Sequence, residues 1–167
     1  MTSSASPSAR LDRLARWGLG GLEAIARVIA PLVLRIALAL PFLRSGLTRW
    51  DGFPSISAGT LFQFEEMFKL HIFGGIYELP MPDLLAYIVA VAEIVLPILL
   101  LLGLGTRLVA LALLLMTGII QLVFPDGWAN FHLNWAALAI AIIALGPGAL
   151  SLDHLVGQRR PTEAPDA

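Results

Sequence analysis

Two charged residues, Arg35 and Glu93, lie inside stretches that are otherwise almost wholly apolar. A lone charge at bilayer depth costs about 3 kcal/mol or more, so each needs a partner or a purpose. Counting about 1.5 Å per helical residue from the ends of the stretches 25–46 and 84–103 puts the two at similar depth. They could meet as an intramembrane ion pair. Such a pair would pin two helices together; the alternative is that Glu93 accepts a proton or contacts a substrate in a state tuned by Arg35. A second polar group gathers toward one end of the apolar stretches: Arg44, Arg49, Gln121, His132, Asn134 and Trp135, with Asp126 in the intervening turn. Its Arg, His and Gln donors could hold a quinone head group or a small anion in a partly covered, outward-facing pocket. Equally, His132 and Asn134 read as helix caps, and Trp128 and Trp135 as interfacial anchors.

Other chemistry is poorly provided for. There is no cysteine, which excludes a disulfide, a dithiol relay, a thiolate metal site and Cys-attached haem or iron-sulfur centres. His71, His132 and His154 are isolated from one another and lack the i, i+3 or i, i+4 spacing of a helical ligand pair, so no metal site is expected. No phosphate loop or Ser-His-Asp arrangement is present, and Gly18 to Gly21 reads as a joint in an N-terminal helix. Any cofactor is expected to be borrowed, a quinone being the candidate, and the chain is not expected to be an enzyme by itself. A net charge of −1 with scattered arginines argues against nucleic acid as a partner.

The elements that must position these residues are transmembrane helices. Of 167 residues, 57% are hydrophobic and 14% charged, and the mean hydropathy is +0.81, above the range of a soluble domain. Four apolar runs, about 25–46, 84–103, 108–124 and 133–150, each approach the roughly 20 residues that cross a bilayer. The expected fold is an all-α integral membrane four-helix bundle, a single domain over 10–158 between a disordered tail at 1–9 and a flexible tail at 159–167. Ala37-Leu38-Ala39 resembles a signal-cleavage site, but Glu23, Arg27 and Arg35 interrupt the apolar core such a signal requires.

Basic residues set the orientation. Arg10, Arg13 and Arg16 precede the first run and Arg27 stands at its start, Arg107 lies in the 103–107 turn, and Arg159 and Arg160 follow the last. The opposite loops hold Arg49 and Lys69 against Asp51, Glu65, Glu66, Glu78 and Asp83. Both termini are therefore expected on the cytoplasmic side of a bacterial inner membrane crossed several times. Arg10 to Arg16 with Leu11, Leu14 and Trp17 predicts a short N-terminal interfacial helix on the anionic inner leaflet. In the long outer loop, the apolar residues from Leu61 to Ile72 interleave with Gln63, Glu65, Glu66 and Lys69, predicting an amphipathic helix stopped by Gly74-Gly75. It serves either as a plain linker or as the cover of a cavity. Pro80 and Pro82 then lead into the second span, with Asp83 at its start.

These residues, taken in order, carry a family resemblance. Leu34-Arg35, Phe42, Gly46 and a basic residue at Arg49; Glu93 before Leu102-Gly103-Leu104-Gly105-Thr106-Arg107; and Gly146-Pro147-Gly148-Ala149-Leu150-Ser151-Leu152-Asp153 together resemble the DoxX family of small four-helix membrane proteins. The resemblance covers about Leu34 to Leu155. Arg49 departs from a position where lysine is commoner, but the charge is kept. Tyr77-Glu78-Leu79-Pro80 with Phe124-Pro125-Asp126, His132 and Trp135 is similar to a proteobacterial branch whose genes accompany those of metal-binding peptide systems. The resemblance implies a membrane component tied to redox metabolism or to oxidative and metal stress, and one namesake relative is a subunit of a thiosulfate:quinone oxidoreductase. The function expected is a non-catalytic subunit or anchor of such a system, partnered by the bilayer and by another protein or a second copy. The alternative is a binding or transport module for a quinone or small solute.

Overall fold

The computed structural model describes residues 7–158, with side chains over 19–157. The expected tails fall outside it, save that residues 7–9 open a helix. Arg159 and Arg160 are outside as well, and the expected interfacial helix at 10–17 is described only as backbone continuous with the first span.

The order of elements is α1 (Pro7–Leu47), α2 (Ala58–Phe62), a π-helical turn (Gln63–Met67), strands β1 (Lys69–Ile72) and β2 (Gly75–Glu78), and α3 (Pro82–Leu102). Then come α4 (Thr106–Val123), a 3-10 turn (Pro125–Gly127), a second π turn (Trp128–His132), α5 (Leu133–Leu145) and α6 (Leu152–Gln158). Among the described residues, four segments are long and apolar enough to cross a membrane: Leu19–Leu47, Pro82–Leu102, Thr106–Val123 and Pro125–Leu145. The protein is a multi-pass helical membrane bundle, as its long apolar runs lead one to expect. The helix of the first span extends N-terminally beyond the expected run, to Pro7. The fourth starts earlier too, because the turns after Pro125 continue into α5, and it stops at Leu145 because Gly146 and Gly148 adopt positive φ (82° and 75°).

α1 packs chiefly on α3, and α4 chiefly on α5. The core joins Leu38, Ala39 and Phe42 of α1 to Leu100 of α3, Val109, Ala110 and Leu113 of α4, and Ala139 and Ile142 of α5. Small residues bring the backbones close, since lipid supplies no hydrophobic drive between helices. A Cβ at Gly46 would stand 2.9 Å from the Glu93 backbone, so α1 ends against the middle of α3. α2 and the first π turn also pack on α3.

The loop between α1 and α3 departs most from expectation. The amphipathic helix predicted over 61–72 survives only as α2 and the π turn, ending at Met67. Beyond it the chain extends, and β1 pairs antiparallel with β2 from Lys69↔Glu78 to Ile72↔Gly75. Gly74 is a hairpin turn rather than a helix stop: Phe73 and Gly74 have φ of 49° and 81°, the left-handed pair whose twist suits a two-residue hairpin. The predicted start of α3 holds, with Pro82 in the first turn beside Asp83.

Candidate functional site

At the loop end, Arg49 follows α1 and turns its guanidinium onto Glu93. Nε donates to Oε2 at 2.5 Å and Nη2 to Oε1 at 2.9 Å, a fork matched to a carboxylate. Nη2 also donates to Ser45 Oγ at 3.3 Å. The guanidinium lies 5.4 Å from the centre of the Phe64 ring, within cation–π range. Glu93 is 2% exposed and Phe64 5%, so the pair is dry on one side. Backbone ties hold it in place: the Arg49 carbonyl accepts from Ser57 N–H at 2.9 Å and from Thr60 Oγ1 at 3.3 Å. Pro97 removes the N–H that would have bonded the Glu93 carbonyl, which frees that backbone to meet Gly46.

This pair forms one corner of a cavity of about 900 Å³. Its walls are Leu85, Ile88, Val89 and Ala92 of α3 and Ala112, Leu115, Met116, Ile119, Ile120 and Val123 of α4. Phe42 and Trp135, 5.2 Å apart between ring centres, close the back. The roof is an edge-to-face run in which Phe64 meets Phe68 at 5.0 Å and Phe68 meets Phe124 at 5.1 Å. The polar residues of the lining are Ser45, Thr48, Arg49, Ser57, Thr60, Gln63, Glu93 and His132, and the rest of the wall is apolar or glycine. Both π turns border it, one supplying Phe64 and the other His132, in keeping with the habit of such turns to occur at sites.

His132 is 4% exposed, and its tautomer follows from its neighbours. Gln121 Nε2 donates to the Pro125 carbonyl at 2.9 Å, which turns Oε1 toward His132 Nδ1 at 2.6 Å. A carbonyl oxygen only accepts, so Nδ1 carries the hydrogen. Nε2, with no hydrogen bond among the described residues, is left as an acceptor. Gly127 fits flat against the ring, where a Cβ would come within 2.5 Å of Cε1. A smaller cavity of about 530 Å³ lies behind, lined by His71, Asp126 and His132; His71 itself faces the Leu122 carbonyl at 3.2 Å.

Of the residues singled out in the sequence, Arg49, His132 and Trp135 share the cavity and Gln121 orients His132. Arg44 and Asn134 do not join them. Both are exposed, and Asn134 donates to the Asn130 carbonyl at 3.4 Å instead. Glu93 belongs to this end, so the expected Arg35–Glu93 pair does not form. Arg35, wholly buried, sits near the other end and reaches the carbonyls of Pro31 (3.4 Å), Leu101 (3.5 Å) and Leu150. The Leu101 carbonyl belongs to the last turn of α3, where partnerless acceptors and the helix dipole both favour a cation. Phe64 and Phe68 were not singled out. Their apolar spacing was visible, but not the bend that carries them over Arg49.

The turn end is locked by a second acid. Asp153 of α6 accepts from Gly105 N–H, Thr106 N–H and Thr106 Oγ1, each at 2.8 Å, and its own N–H donates to the Gly103 carbonyl at 2.9 Å. It thus caps α4 from outside. Burial works against its charge, but the bonds from Thr106 and Gly105, with Arg35 nearby, outweigh that and hold the carboxyl below its ordinary value of 3.8. A lowered folded value means that the stabilisation is complete above the unfolded value and drains away as pH falls through the folded one. The melting advantage of wild type over Asp153→Asn is therefore expected to hold at pH 5 to 7 and to shrink below about pH 4. An advantage that grows on acidification would reverse the assignment.

A family comparison completes the description. No curated protein and no solved structure matches the chain. The family model described as DoxX matches residues 30–126, a stretch that holds Arg35, Gly46, Arg49, Glu93, Gly103 and Gln121 and stops short of His132, Trp135 and Asp153. With more than half its length matched over the residues that build both ends of the bundle, the chain belongs to the DoxX family.

Proposed function

We propose that this protein binds, within the bilayer, a molecule with a compact neutral polar head and an apolar body, of the quinone class. In this reading it acts as a non-catalytic membrane subunit of a redox or stress-response system. The observation that carries the reading is the electrical neutrality of the cavity's polar corner. Arg49 is already matched by Glu93 through two hydrogen bonds, so a free anion gains little there, whereas a neutral head meets directional groups without a charge to desolvate. Arg49 Nη1 has no hydrogen bond among the described residues and is available to a quinone carbonyl. His132 Nε2 is available to the hydroxyl of the reduced form. A mostly apolar volume of this size with a few convergent polar atoms is the usual form of a small-molecule site.

Trp135 in the cavity wall supplies the assay, because a quinone against an indole quenches its fluorescence. Saturable quenching by a short-tailed benzoquinone is expected in purified wild type. His132→Leu keeps the side-chain volume and removes the acceptor, and should weaken binding of the reduced form by about tenfold, the scale of one hydrogen bond. No saturable quenching in wild type would defeat the reading.

We further propose that both termini face the cytoplasm of a bacterial inner membrane, on the strength of Arg27 and Arg107 at the turn end against the acids of the hairpin side. A reporter inserted at Gly74 should read extracytoplasmic and one fused after Gln158 cytoplasmic; the reverse pattern inverts the orientation.

A further inference from the structure

We infer that the cavity is loaded sideways from the bilayer, through a mouth between α3 and α4, and that its ligand is a long-tailed, membrane-dissolved amphiphile whose tail remains among the lipid chains. This rests on the binding reading above and adds the route and the tail. Ile88, Leu115 and Ile119 all line the cavity, yet they are 51%, 62% and 58% exposed. All three belong to spanning helices. A side chain that borders a cavity and also stands open on a spanning helix marks the rim of an opening onto hydrocarbon.

The surrounding structure leaves that direction free. The lining begins at Glu93 on α3 and at Ala112 on α4 and runs toward the loop end, so the helices are closed together near their shared turn and parted beyond it. Phe42 and Trp135 block the back, and the buried Phe64 with Phe68 and Phe124 roofs the top. The polar corner lies inside and the apolar rim outside, which is the polarity of a molecule entering head first from lipid. Size agrees: about 900 Å³ accommodates a head and the start of a tail but not a long isoprenoid or acyl chain. Each methylene left in the bilayer also retains its favourable transfer out of water.

The test compares two probes in lipid nanodiscs, a short-tailed, water-soluble benzoquinone and a long-tailed isoprenoid benzoquinone preloaded in the lipid. Ile88→Phe with Leu115→Phe narrows the mouth from both sides. Loading of the long-tailed probe is expected to slow by about tenfold or more, the scale that overpacking a close-fitted passage produces, and by a clearly larger factor than loading of the short-tailed probe. Leu115→Ala with Ile119→Ala widens the mouth and should speed long-tailed loading. Long-tailed loading that responds to neither pair overturns the lateral route while leaving the binding site standing. If the phenylalanine pair weakens both probes, the alanine pair decides: faster loading supports the route and unchanged loading refutes it. Failure of wild type to bind even the short-tailed probe removes the binding reading itself.

Discussion

Glu93→Leu is expected to cost about 3–5 kcal/mol of stability, because it strands the Arg49 guanidinium between Phe64 and an apolar wall with only Ser45 to accept from it. Arg49→Leu should cost a comparable amount by leaving a carboxylate at the middle of α3. Removing both charges at once should cost clearly less than the sum, since the desolvation of each was offset only by the other. Equilibrium unfolding in mixed detergent micelles measures all three. Losses that simply add would mean that the forked pair contributes nothing as a pair, and the polar corner of the cavity would lose its structural basis.

Arg35→Met is expected to be nearly as damaging, at about 3 kcal/mol, for a different reason. The guanidinium ties α1 to the last turn of α3 and to the segment before α6, and its loss leaves buried carbonyls at Leu101 and Leu150 without a donor. Arg35→Lys should recover only part, because one ammonium on a single stem cannot serve three carbonyls set at different angles. Gly103→Ala attacks the same knot from the other side: its φ is +69°, and a Cβ there would collide with the Arg35 guanidinium and with Ser151. The Arg35→Met, Glu93→Leu combination should be additive, since the two residues serve opposite ends of the bundle. Strong coupling between them would contradict the arrangement of partners described here.

That last point marks what the sequence could and could not disclose. The four spans, the buried charges and the clustering of Gln121, His132 and Trp135 were legible, because length, hydropathy and rough depth are one-dimensional properties. The partner of Glu93 was not. Equal depth follows only if the ends of the two apolar runs lie in common planes, whereas Gly46, near the end of α1, meets Glu93 in the middle of α3. The offset carries Arg49 down to Glu93 and leaves Arg35 opposite the far end of α3. Faces rich in leucine and alanine pack nearly as well in several registers, so composition alone does not fix such an offset. The outward direction of Arg44 is written in its spacing. It lies two residues from both Phe42 and Gly46, which on a helix of 3.6 residues per turn points it away from the face those two bury. The hairpin needed the positive φ of Phe73, which a phenylalanine seldom adopts and seldom announces.

The early end of α1 also imposes an order in time. The chain is made from its N-terminus, so Arg49 is synthesised before any of α3 exists, and during that interval the carboxylates near it in the chain are those of the loop, such as Asp51, and not the buried Glu93. The segment from 48 to 68 cannot settle over the cavity until Glu93 is in the membrane to receive it, and α4 must follow before the second wall stands. The site therefore closes only when α5 brings its wall with Trp135, and a nascent chain halted before α3 presents Arg49 without the buried carboxylate it will finally grip.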